Sequence, residues 1–202
     1  MKIISTFILI VFLSLPYAAS AQQAETLFNG DVSHGGFGSL VFGVTSVNGE
    51  ASYLRGSRGA WMVKFPDGHS LNIGLGGYRA QTGFEAVDWP HEDIEAPELR
   101  TNYSGFELEY LNQSNKLIHF GGQLLIGGGT VRYRDRSIDL SKTSDSYFAL
   151  QPGANAHLNV TNWFRLSGGL FYRYAGGVNL DGTSNSDLSG FSTIFGLRFG
   201  KF

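Results

Sequence analysis

Phe164-Arg165-Leu166-Ser167-Gly168-Gly169-Leu170-Phe171-Tyr172-Arg173-Tyr174 is the stretch whose reading decides the fold. Phe164, Leu166, Gly168, Leu170, Tyr172 and Tyr174 fall on one side of a two-residue repeat, and Arg165, Ser167, Gly169, Phe171 and Arg173 on the other. Successive side chains of a strand point to opposite faces, so this is a strand with one greasy face and one small or polar face. The pattern recurs outward from it. Ile118, Phe120, Gly122, Leu124 and Ile126 oppose His119, Gly121 and Gln123, with Leu125 the exception; Phe191, Thr193, Phe195, Leu197 and Phe199 oppose Ser192, Ile194, Gly196, Arg198 and Gly200. Phe148 to Leu158 alternates in the same way, and no helical period competes. The chain reads as all-β.

Composition agrees. Of 202 residues 28 are Gly, while charged residues make up 16 % and aromatics 14 %. Gly is about twice its average usage and charge falls short of the usual quarter. Disorder is excluded, since disordered chains are aromatic-poor and charge-rich. A helical bundle is disfavoured, because each Gly inside a helix costs about 1 kcal/mol relative to Ala. With no Cys, disulfides, thiolate metal sites and cysteine nucleophiles are impossible. Fifteen basic against 17 acidic residues leave no electrostatic footprint for nucleic acid.

Residues 1–21 read as an address. Lys2 gives a minimal basic start, Ile3 to Leu15 an apolar run, Pro16 a break, and Ala19-Ser20-Ala21 a small-residue cleavage site. Cleavage after Ala21 would leave a single domain over 22–202. An uncleaved anchor is the alternative, but the run is short of the ~20 apolar residues that span a bilayer.

The alternation predicts strands at 37–47, 51–65, 69–82, 103–112, 117–133, 145–159, 162–176 and 190–200. Eight is the smallest common number for a closed up-and-down barrel. Phe65-Pro66-Asp67-Gly68, Asn112-Gln113-Ser114-Asn115-Lys116 and Asn159-Val160-Thr161-Asn162 are short turns, and longer polar loops lie near 83–102, 134–144 and 177–189. Asn48-Gly49 marks a tight first hairpin. Short and long connections alternate, as in barrels whose short turns face the periplasm and whose long loops face outside; both termini would then be periplasmic. In strand two Arg55 and Arg58 differ in parity across Gly56-Ser57, which reads as a bulge.

The non-greasy face carries Gly, Ser, Asn and Gln with few Lys, unlike a water-washed sheet. Its charges look pairable: Glu107, Glu109, Arg165, Arg173 and Arg198. Antiparallel order sets Glu109 opposite Arg165 or Arg198, and Glu107 opposite Arg173, inside a lumen narrow enough for side chains to fill. Such a salt-bridge network would plug the barrel; a gated ion path lined by the same residues is the alternative. Aromatic residues gather toward both strand ends, as two interfacial girdles would require, although Tyr78, Tyr103, Tyr147 and Trp163 have lumen parity.

A signal segment, eight alternating strands, long loops and the last strand Gly196-Leu197-Arg198-Phe199-Gly200-Lys201-Phe202 resemble the small eight-stranded outer-membrane β-barrel proteins of Gram-negative bacteria. The resemblance implies a closed antiparallel transmembrane barrel in contact with outer-membrane lipid. It also implies that the barrel assembly machinery recognises a C-terminal aromatic. Phe202 is terminal, but Phe195, Leu197 and Phe199 share a parity that Phe202 lacks. Either the signal ends at Phe199 with an overhang, or a bulge shifts the register.

The expected role is non-enzymatic. Lipid A deacylases resemble this architecture and use His-x-Ser, yet none of the five His has Ser two residues on. The palmitoyltransferase pattern has only Asp145-Ser146 and His91 to offer, and Asp-Ser at a strand start is ordinary turn chemistry. The acidic loop 84–100, with Glu85, Asp88, Glu92, Asp93, Glu95 and Glu98, is a candidate surface for an extracellular ligand; it lacks EF-hand spacing. Gly74-Leu75-Gly76-Gly77 and Gly127-Gly128-Gly129 precede no helix and carry no phosphate-loop Lys, so no cofactor is expected. A lipid A-modifying enzyme, a small channel and a soluble barrel holding an apolar ligand remain the other readings.

Overall fold

Tight turns and period-two segments close on themselves in the computed structural model, which describes residues 32–85, 98–133 and 143–202, with the side chains of 81–85 excepted. Eight strands form one closed barrel, each hydrogen-bonded antiparallel to its sequence neighbours and β1 to β8. They are β1 (Ser33–Val47), β2 (Glu50–Lys64), β3 (Ser70–Glu85), β4 (Glu98–Asn112), β5 (Ile118–Tyr133), β6 (Ser144–Asn159), β7 (Phe164–Gly176) and β8 (Gly190–Lys201). Closure leaves no exposed ladder edge, the usual liability of a sheet. Residues 1–21, over which a leader is expected, His91 and most of the acidic loop lie outside the described residues.

Asn48 and Gly49 take φ of 55° and 74°, the left-handed pair that a two-residue hairpin needs to match strand twist. β3 and β4 run further than the alternation predicts, to Glu85 and from Glu98, because Asn102 and Thr101 pair with Arg79 and Ala80, and Leu99 and Glu98 with Phe84 and Glu85, without an apolar repeat to announce them. Pro152 interrupts the β6–β7 ladder between Leu150 and Gly153, since it has no N–H to donate, but the register is the same on both sides.

The bulge expected in β2 is absent. Its register runs unbroken against β1 and from Leu54 to Lys64 against β3. Arg55 and Arg58 differ in parity simply because one points outward and one inward. The irregularity lies instead between Ala80 and Phe84, where β3 shifts against β4.

The greasy face points outward. Leu75 is 67 % exposed, Leu170 67 % and Phe191 71 %, with Leu40, Phe106, Ile126 and Phe195 in the same belt. Inward lie Arg58, Glu107, Glu109, Asn155, Arg165, Arg173 and Arg198, all buried. The interior is not polar throughout, as the sequence suggested. Toward the long-loop end Leu54, Leu125, Val131, Tyr103, Tyr147 and Phe171 form an apolar cluster. Tyr78, Tyr103 and Tyr147 belong to the interior and not to a girdle, whereas Trp163, in the turn before β7, is exposed. The loop after β7 folds down over this cluster: its helical turn α1 (Asn185–Leu188) buries Leu188 completely, and Leu180 lies beside it.

Candidate functional site

Three strands bring the luminal charges together at mid-barrel. On β4, Glu107 and Glu109 share the inward parity, two residues apart, so their carboxylates sit at successive levels. Glu109 accepts a two-point fork from Arg198 of β8, Nη1 to Oε2 and Nη2 to Oε1, both at 2.7 Å. Asn72 Nδ2 donates to Oε2 at 2.7 Å and Asn155 Nδ2 to Oε1 at 2.8 Å. Arg58 Nη1 adds a longer bond to Oε1 at 3.3 Å. A fork of this kind fixes orientation as well as charge, and the amides occupy lone pairs that would otherwise be desolvated without a partner.

Arg58 of β2 links the two carboxylates. Its Nε lies 2.6 Å from Glu107 Oε2, while its Nη1 also donates to Gln123 Oε1 at 2.6 Å. Tyr78 Oη donates to the other oxygen of Glu107. Gly76 makes room for this arrangement, because a Cβ there would collide with the Glu107 carboxylate. The core of the network is therefore two Glu and two Arg from β2, β4 and β8. Arg58 was the member the sequence reading missed: its parity matches the inward Leu54 and Met62, which was the available signal, but the intervening glycines obscured it.

Arg173 does not meet Glu107. It lies nearer the long-loop end, where Nε donates to the Leu188 carbonyl at 2.7 Å, Nη1 to Thr45 Oγ1 at 3.2 Å and Nη2 to the Ser46 carbonyl at 3.2 Å. The guanidinium also stands 5.0 Å from the Tyr103 ring. Arg165 does not pair with Glu109 either. Near the short-turn end it donates to the Ser114 carbonyl at 3.2 Å and stacks 4.1 Å from the ring of Phe202. The physical reason is the same for both: they lie toward the two ends of the barrel, while Arg58 and Arg198, with Asn72, Asn155 and Tyr78, reach the two carboxylates at its middle. The outer arginines turn to carbonyls and rings.

His119 and His157 stack face to face, 5.1 Å apart, and His157 Nε2 is 3.8 Å from Glu109 Oε1. Phe37 lies under both Arg198 and Arg58, at 4.7 and 5.5 Å, and leans on Phe202 at 6.1 Å. Phe202 thus turns inward beneath the network, just beyond the end of β8. The β1–β8 register is continuous from Thr45–Ser192 to Gly36–Lys201, so no bulge moves Phe202 to the outer face. Phe199 is the outward aromatic, stacked on Phe164 at 4.9 Å with Trp163 at 6.1 Å.

Little room remains. The space bounded by Ser39, Arg58, Gln123, Asn155, Ser167 and Arg198 is about 20 Å³, enough for roughly one water molecule. Asp145, half of the Asp-Ser pair, accepts from the Asn179 amide and so ties β6 to the loop after β7. No cluster of His, Asp and Glu suited to a metal ion occurs among the described residues.

The closed eight-stranded antiparallel barrel is a fold shared with small outer-membrane β-barrels of known structure. Among solved structures the chain is similar to Ail, the attachment invasion locus protein of Yersinia pestis, with TM-score 0.55 and 14 % identity over 83 % of this chain and 97 % of that one. Ail in complex with the heparin analogue sucrose octasulfate gives TM-score 0.54 and 15 % identity over the same shares. Neisserial surface protein A gives TM-score 0.52 and 15 % identity, covering 86 % of this chain and all of its own, 100 %. No model of a known protein family matches the chain, and no curated protein matches it in sequence.

Proposed function

We propose that the chain is a small outer-membrane β-barrel protein of a Gram-negative bacterium, non-enzymatic, with a sealed lumen and with long loops that carry its contacts outside the cell. One observation carries this reading: every one of the eight strands presents large apolar side chains outward and exposed, while Glu107, Glu109, Arg58 and Arg198 are buried inside. An apolar belt of that size does not persist in water, and a barrel is one of only two ways to span lipid with every backbone group paired. The sealed interior argues for a plug over a gated path, because the network fills the section that an ion would have to cross.

In this reading residues 1–21 are removed on export and both termini face the periplasm. The barrel assembly machinery would read β8 through Phe199, whose ring joins an outward aromatic cluster, with Phe202 as an inward-turned overhang. The loop 84–100 is the candidate surface for an extracellular partner; its run of carboxylates suits a cationic partner better than a sulfated or phosphorylated one.

Three measurements test the proposal. Cell fractionation should place the protein in the outer membrane with heat-modifiable migration on a gel, and recovery as a soluble monomer without detergent would contradict it. Planar bilayers should show no steady conductance for the parent protein, and an open channel of reproducible size would contradict the plug. Lipid A mass spectra with and without expression should be identical if the protein is not an enzyme.

A further inference from the structure

The outward belt is broken in one sector. Toward the long-loop end β1, β6, β7 and β8 present Phe42, Phe148, Tyr172 and Phe191 outward, whereas β2 to β5 present arginines. Arg55 of β2 and Arg79 of β3 are register partners on the outward face. Arg100 of β4 and Arg132 of β5 are register partners as well, one level nearer the loops, and Arg100 is diagonal to Arg79 across the Arg79–Asn102 pair. Like charges directly opposite one another destabilise a sheet, and here two such pairs stand side by side. Among the described residues none of the four guanidinium groups has a hydrogen-bond or ion-pair partner. Glu98, one level above Arg100, is the acidic residue at outward parity on β2–β5 among those with described side chains.

Directly below the arginines the wall is recessed. Ser57, Gly77 and Ser104 are consecutive register partners across β2, β3 and β4. With Leu40 and Phe42 as one bank and Arg55 and Arg79 above, they line a groove of about 490 Å³ on the outer face of the wall. The height is informative. From Leu71 to Arg79 the strand climbs about 27 Å at ~3.4 Å per residue, or about 20 Å along the barrel axis at the usual tilt. That is close to the height of the apolar band, so the arginines stand at head-group level and the groove at the level of the first acyl carbons. The arc of four strands spans about 15 Å at ~4.8 Å per strand.

From this geometry, and resting on the membrane reading above, we infer that the long-loop end of β2–β5 is a binding site for a membrane lipid whose head bears two phosphate groups. Each Arg pair takes one phosphate, since a guanidinium fork matches phosphate oxygens and the opposed charges are neutralised together. An acyl chain lies in the groove over Ser57, Gly77 and Ser104. The site serves as an anchor that orients this side of the barrel toward the charged leaflet.

The test compares lipid retention in native mass spectrometry after folding into phosphatidylcholine vesicles containing diphosphoryl lipid A, monophosphoryl lipid A or neither. The parent should retain the diphosphorylated lipid best. R55Q/R79Q and R100Q/R132Q should each hold it roughly tenfold more weakly, the loss of about one charge-assisted contact. Gly77→Leu should weaken it with all charges present; a Cβ at 77 meets Ser104 Cβ at 3.8 Å, an ordinary contact, so this variant has room to fold. Equal retention of all lipids, undiminished binding by the Arg variants, or full competition by inorganic phosphate would overturn the inference. Failure of the parent to enter vesicles of any composition would count instead against the membrane reading.

Discussion

Replacing Glu109 with Ala would leave Arg198 and Arg58 facing each other's field in a dry interior, with Asn72 and Asn155 stripped of their acceptor. Breaking a buried pair by removing one partner costs about 3–5 kcal/mol, far more than an exposed pair is worth. Urea unfolding from lipid vesicles should show a loss of that size, and a change below about 1 kcal/mol would mean the network contributes little. Gly76 offers a second test at this scale. Gly76→Ala drives a methyl group into the Glu107 carboxylate, whereas Gly38→Ala meets nothing within 4 Å. The first should destabilise by about 1–3 kcal/mol as an overpacked site does, and the second should be close to neutral.

At the scale of elements, the loop after β7 behaves as a strap across the barrel mouth. Arg173 holds it by the Leu188 carbonyl and by β1 through Thr45 and Ser46, the Tyr133 hydroxyl donates to the Asp181 carbonyl, and the Asn48 amide donates to the Asp187 carbonyl. Leu188 inserts its side chain into the apolar cluster below. Leu188→Ala should cost about 2 kcal/mol or more locally, which is roughly thirtyfold faster amide exchange in 180–190. Exchange in β4 and β5 should be unchanged; a uniform rise across all strands would show that the strap is part of the global core.

What the sequence made legible follows from the same elements. Period two gave the strand number, the turn residues gave their order, and the small face gave the inward side. Glu109 and Arg198 could be placed opposite each other because parity and strand direction are enough to rank heights within a barrel. Partner choice was not legible, because it depends on which donors reach a carboxylate first. Arg165 and Arg173 had suitable parity but lie toward the two ends, and Arg58 lay hidden among glycines that leave parity unmarked. From sequence the strap reads only as a longer polar loop, since Leu180 and Leu188 are isolated apolar residues in a polar run. Phe202 was recognised as out of phase, but its seat beneath Phe37 and Arg165 required the closed register of β1 and β8.

For the molecule as a whole, the account depends on inversion: apolar side chains outside, ion pairs inside. The chain has no Cys, so single-cysteine variants carry a spin label at one chosen position without further engineering. The most direct measurement is the accessibility of such labels along β4 and β5 to oxygen, which concentrates in hydrocarbon, and to a water-soluble nickel complex, in protein folded into lipid vesicles. Labels at the outward Phe106, Leu108, Leu124 and Ile126 should be reached by oxygen and not by nickel, while labels replacing the inward, buried Tyr103 and Leu125 should be shielded from both. Nickel access at Phe106, Leu108 and Ile126 would put water where the account puts lipid, and would contradict it.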